Sequence, residues 1–75
     1  MQGITYDILQ TQYVEGISYL YVVFKGKSTN FDVNKDYGDE YLGNPLWNGS
    51  IFCLLDTSEA YVWSLVDRKW LKVGA

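Results

Sequence analysis

The stretch Asp32-Val33-Asn34-Lys35-Asp36-Tyr37-Gly38 places oxygen-bearing side chains at alternate positions, the spacing of a calcium loop. Calcium takes roughly six to eight oxygen ligands, and a loop of this kind supplies them from every second residue. Here the glycine falls one position late, Gly43 stands where a bidentate Glu belongs, and Lys35 adds a repelling charge. The stretch therefore reads as a solvated acidic loop. Asp36, Asp39 and Glu40 are close enough in sequence to suggest the carboxylate pair of a glycosidase. Loop carboxylates are ordinarily solvated, however, and no acid can be told from a base here. Cys53 is the only thiol and the chain contains no histidine, so the base that would activate a cysteine nucleophile is missing. Cys53 reads as a small buried hydrophobe in mid-strand. No enzymatic activity, cofactor or metal is expected.

Aromatic residues offer a different chemistry. Seven tyrosines, three tryptophans and three phenylalanines occur in 75 residues. Tyr37, Tyr41 and Trp47, with Asn44 and Asn48 nearby, would suit a ligand-binding loop in which rings stack on the C–H faces of a sugar, so a glycan is a candidate partner. Trp63 and Trp70 would extend such a platform. Their regular spacing along strands favours the plainer reading, rings packed in a core or an interface. Asn48-Gly49-Ser50 matches a glycosylation sequon, but no basic region followed by an apolar run opens the chain, so the tripeptide reads as a turn.

Length and charge bound the rest. Residues 1–75 suffice for a single small domain with a thin core, and one cysteine cannot form an internal disulfide. The net charge of −3 and the dispersed six basic residues argue against nucleic acid and anionic membranes as partners.

The elements that must position these residues fall into three zones. Between Gly3 and Lys25, the run Ile17-Ser18-Tyr19-Leu20-Tyr21-Val22-Val23-Phe24 has high β propensity, and Glu15-Gly16 supplies a turn before it. Residues 4–13 are the candidate partner strand of a hairpin, although Tyr6, Leu9 and Tyr13 also fit a helical stripe. Gly26 to Asn48 is rich in turn residues and reads as a long loop, with Phe31, Val33, Tyr37, Tyr41, Leu42 and Trp47 packing onto something. Gly49 to Val73 reads as a three-stranded antiparallel meander, with strands Ile51–Asp56, Glu59–Val66 and Trp70–Val73 and turns at Thr57-Ser58 and Asp67-Arg68-Lys69. The expected fold is mainly β, a small sandwich or barrel-like domain.

With Thr57-Ser58 as the loop, Phe52 would face Trp63 and Leu54 would face Tyr61. One face would carry Phe52, Leu54, Tyr61, Trp63, Leu65 and Trp70; the other would carry Ile51, Cys53, Leu55, Ala60, Val62, Val66, Leu71 and Val73. Neither face is polar, whereas a sheet with one wet side should alternate. Both faces need covers. The N-terminal hairpin can cover one, and the long loop, a second subunit or a larger assembly must cover the other. Phe52, Tyr61, Trp63 and Trp70 are thus the expected packing or interface residues.

The segment Asn48-Gly49-Ser50-Ile51-Phe52-Cys53-Leu54-Leu55-Asp56-Thr57-Ser58-Glu59-Ala60-Tyr61-Val62-Trp63, continuing to Lys69-Trp70, resembles a pattern of small structural proteins from tailed bacteriophages and prophages. That pattern is an Asn-Gly-Ser turn, an aromatic-bearing strand, Asp-Thr, a strand of alternating aromatics and a closing Trp. Val23-Phe24-Lys25-Gly26 is loosely similar as well. The likeness covers residues 48–73. It implies a virion component attached to head or tail, present in the host cytoplasm during assembly, with no catalytic residues. The expected function is accordingly a non-enzymatic assembly role through aromatic protein–protein contacts, with other virion proteins or itself as a homo-oligomer. The alternatives are a carbohydrate- or receptor-binding module and a small cytoplasmic inhibitor of a host protein.

Overall fold

A computed structural model describes residues 3–73. It contains five strands: β1 (Ile4–Val14), β2 (Ile17–Gly26), β3 (Ile51–Leu54), β4 (Ala60–Ser64) and β5 (Lys69–Lys72). They form one sheet in the order β1-β2-β3-β4-β5. All neighbours are antiparallel except β2 and β3, which run parallel.

The N-terminal hairpin forms as the β-rich run after Glu15-Gly16 requires. Both turn residues have positive φ, 51° and 83°, the backbone of the tight turn whose twist suits paired strands. The helical alternative for residues 4–13 is excluded, since Ile4 to Val14 pair with β2. One irregularity interrupts this pairing. Ile8 is opposite Val22 and Gln10 opposite Tyr21, which leaves Leu9 as a bulge.

Residues 27–50 form the crossover that a parallel pair needs. It holds a 3-10 turn at Ser28–Asn30 and a π-type turn at Gly38–Leu42. Two residues of the crossover then pair with β2 directly. Leu20 donates its N–H to Pro45 O at 2.9 Å and accepts from Trp47 N–H at 2.8 Å. The long loop is therefore an ordered layer rather than a free binding loop.

The meander is present with a different register. The β3–β4 connection is longer than Thr57-Ser58: Leu54 N–H bonds Glu59 O at 2.8 Å and Ser58 N–H bonds Leu54 O at 3.0 Å, with Ser58 left-handed at φ 62°. The same device recurs between β4 and β5, where Arg68 at φ 53° donates to Ser64 O at 2.7 Å. Phe52 consequently pairs with Tyr61 and Trp63 with Trp70, rather than Phe52 with Trp63 and Leu54 with Tyr61. A slip of two residues preserves the faces, because side chains alternate with period two. The strands are also shorter than expected, so Leu55, Leu65 and Val66 lie in turns and leave the faces first given to them.

The sheet is open and does not close as a sandwich or barrel. The hairpin lengthens the sheet edgewise instead of covering a face. One face, the inner, carries Leu20, Val22, Phe24, Phe52, Leu54, Trp63 and Trp70, all buried, and the crossover lies over it with Tyr37 and Leu46. The Tyr37 ring sits among Phe52 (5.3 Å between centroids), Phe24 (5.8 Å) and Trp70 (6.3 Å). Gly38, beside it, has no room for a side chain: a Cβ there would stand 2.6 Å from Asn44 O and 2.7 Å from Leu46 Cδ2.

Candidate functional site

The residues expected at a packing surface or interface are brought together, and this chain covers them itself. Phe52, Trp63 and Trp70 are fully buried on the inner face, and Tyr61 packs half-buried at its margin against Phe31, 4.7 Å between centroids. Trp70 Nε1 donates to Lys35 O at 2.9 Å, which ties the last strand to the crossover. Trp63 Nε1 is buried with no hydrogen-bond partner among the described residues. An unsatisfied indole N–H is tolerable only where ring burial outweighs it.

The proposed ligand loop is not assembled as a platform. Tyr37 is 1% exposed; its hydroxyl accepts from Asp32 N–H at 2.7 Å and donates to Asn30 O at 3.0 Å. Burial pushes its phenol above the usual tyrosine range. Tyr41 stacks on Tyr37 with centroids 5.9 Å apart, whereas Trp47 leans on Tyr19 of β2 at 5.2 Å. No concave pocket opens among the described residues.

The carboxylates work as fasteners. Asp32 Oδ1 accepts from Asn34 N–H at 2.9 Å. Asp36 accepts from Asp39 N–H at 2.9 Å and from Leu46 N–H at 3.3 Å, clamping the start of the crossover's second half to its end. Asp56 accepts from Ser28 Oγ at 2.7 Å and Ser28 N–H at 3.0 Å, and these bonds hold its carboxyl below the usual range. Glu59 is lowered by its bond to Lys72 Nζ at 2.6 Å, and Lys72 is raised by the same contact. No group of three or more acidic or cysteine side chains is placed to hold a metal among the described residues.

Ser50 is a residue that sequence reasoning read only as part of a turn. Its side chain is fully buried where β2 passes from the Pro45–Trp47 segment to β3. Oγ accepts from Val22 N–H at 3.2 Å and lies within donating distance of Trp47 O, 2.9 Å, and Leu20 O, 3.2 Å. A side chain thus replaces the backbone partner that the ladder lacks at this point.

The outer face is the surface left over. Register aligns Val23, Ile51, Val62 and Leu71 in one row across four strands. Tyr19, Tyr21, Cys53 and Ala60 adjoin that row. All are half-buried except Leu71, which is exposed, and the crossover reaches this face through Trp47, whose ring leans on Tyr19. Cys53 therefore has the face expected of it but not full burial. This face was legible in the meander from its two apolar parities. Its extension onto β2 was missed, although Tyr19, Tyr21 and Val23 carry the same signal.

The sheet's two edges differ. At β5, Trp70 N–H bonds Val33 O of the crossover at 2.7 Å. At β1, no described residue hydrogen-bonds the free side of the strand, and Tyr6, Ile8, Leu9 and Tyr13 are exposed. Comparison with family models, curated proteins and solved structures gives no match.

Proposed function

We propose that this chain is a non-enzymatic structural component of a tailed-phage particle, a head or tail accessory that takes its place by burying the outer sheet face against neighbouring virion protein. The observation that carries the reading is the apolar row Val23, Ile51, Val62 and Leu71, which the chain's own crossover leaves uncovered. Strands with one face packed and the other wet would place polar residues outward, as β1 does with Thr5, Asp7, Gln10 and Gln12 but β2 to β5 do not along this row. An apolar second face instead marks contact with protein. The resemblance of residues 48–73 to small virion proteins supplies the setting, and that likeness includes the strands that build the row. Lys25 and Lys69 flank it and would form the polar rim of a contact.

Val62→Lys tests the reading. The side chain points away from the core, so the fold should persist by circular dichroism while the protein disappears from purified particles. Incorporation at the level of the unsubstituted chain would rule out the outer face as the attachment surface.

A further inference from the structure

We propose that the free edge of β1 pairs antiparallel with β1 of a second copy, joining two sheets across a twofold axis, with Tyr6 of each copy opposite Tyr13 of the other. This contact is separate from the outer face and does not depend on it.

The first argument is the open edge. β1 is 11 residues long, whereas β3, β4 and β5 have 4 or 5. Native edges are usually blunted by charged side chains, Pro, a bulge or a covering segment, and of these β1 carries Asp7 and the Leu9 bulge. β1 has neither Lys nor Pro, and Leu9 and Tyr13 are 59% and 70% exposed along it. The opposite edge, at β5, is met by the crossover, so the protection is one-sided.

The second argument is register, and it identifies the occupant as a copy of the same chain. Residues opposite each other in an antiparallel pair share a face. Pairing with β2 puts Ile4, Tyr6, Ile8, Thr11 and Tyr13 on the inner side and Thr5, Asp7, Gln10, Gln12 and Val14 on the outer. The extra residue Leu9 reverses the alternation at mid-strand. The side pattern of β1 therefore reads the same in both directions about the point between Leu9 and Gln10. A perpendicular twofold there sets Tyr6 against Tyr13, Ile8 against Thr11, Asp7 against Gln12 and Thr5 against Val14, with faces matched at each pair. A strand without the bulge would have its twofold on a residue. Here that choice would set inner residues against outer ones.

The third argument is charge. Two copies at −3 repel, which favours contact through a neutral surface. Asp7 is the only charged residue of β1, and Ile8 to Val14 carry no formal charge. In the matched register Asp7 faces an amide, and the two Asp7 side chains are offset by five positions along the strands, about 17 Å. That exceeds the screening length of roughly 8 Å at physiological salt.

Sedimentation equilibrium across a micromolar dilution series reads the dimer, and charge at position 12 reads its register. Gln12→Asp puts a like charge opposite Asp7 twice per dimer and should weaken association roughly two- to thirty-fold, while Gln12→Lys should tighten it by a similar factor. The double variant Asp7→Lys with Gln12→Asp should restore the dimer. Far-UV circular dichroism and thermal midpoint establish that each variant is folded. A chain that stays monomeric throughout the series overturns the proposal, as does binding of an extended segment from a different protein in place of the copy. A dimer indifferent to both Gln12 variants but lost in Val62→Lys also overturns it, because the outer face would then be the self-contact.

Discussion

Replacing Ser50 by Ala removes a single oxygen from a fully buried site and leaves no apolar void. Its effect therefore isolates hydrogen bonding. Val22 N–H, now 3.2 Å from Ser50 Oγ, would lose its partner at the centre of the molecule, where water does not reach. Trp47 O keeps the N–H of Ser50 at 3.2 Å and Leu20 O keeps that of Trp47 at 2.8 Å, so the carbonyls remain served. The loss is then that of one orphaned buried donor, about 1–3 kcal/mol. A domain of this length has a total stability of about 4–11 kcal/mol. A loss of 2 kcal/mol within that range should lower the melting temperature by about 8–16 °C. Urea denaturation measures the change, and amide hydrogen exchange locates it: Val22 should lose protection while the β1–β2 amides near Ile4 keep theirs. A loss below about 0.5 kcal/mol, the ordinary scatter of surface substitutions, would refute the reasoning. Ser50 would then be incidental to the junction between the crossover and β3.

Trp63→Ala should cost about 3–5 kcal/mol in urea unfolding, because the ring is fully buried within its own chain; an unchanged midpoint would place that ring outside the core. Gly38→Ala forces a Cβ to within 2.6 Å of Asn44 O, and the overpacking should cost about 1–3 kcal/mol by chemical denaturation. Acid should weaken the fold through Asp56 and Glu59. Both carboxyls lie below their usual range when folded, so their stabilisation is present above the unfolded pKa and lost as pH falls through the folded one. Melting temperature should therefore drop below about pH 4, and Asp56→Asn should flatten that limb.

The local chemistry of this chain was legible from residue types. Glu15-Gly16 calls for a tight turn, the β-branched and aromatic run after it for a strand, and the period-two pattern of residues 51–73 for a meander apolar on both sides. Tyr61, Trp63 and Trp70 were grouped on one face correctly even though the register was two residues out, because an even slip leaves alternation intact. What covers that face could not be read the same way. The crossover's apolar residues are scattered among Gly, Asn and Asp without a period, so nothing local distinguishes a packed layer from a mobile binding loop. The distinction comes from distant partners: Leu20 for Pro45 and Trp47, Ser28 for Asp56, Lys35 for Trp70. The same holds for the hairpin. Its propensity makes it a strand pair whether it lies on the meander or beside it, and only the parallel pairing of Val23 to Gly26 with Ile51 to Leu54 sets it edgewise. That placement leaves the outer face and the β1 edge open. Exposure is a property of what stands next to a residue in space, and residues far apart in the chain decide it.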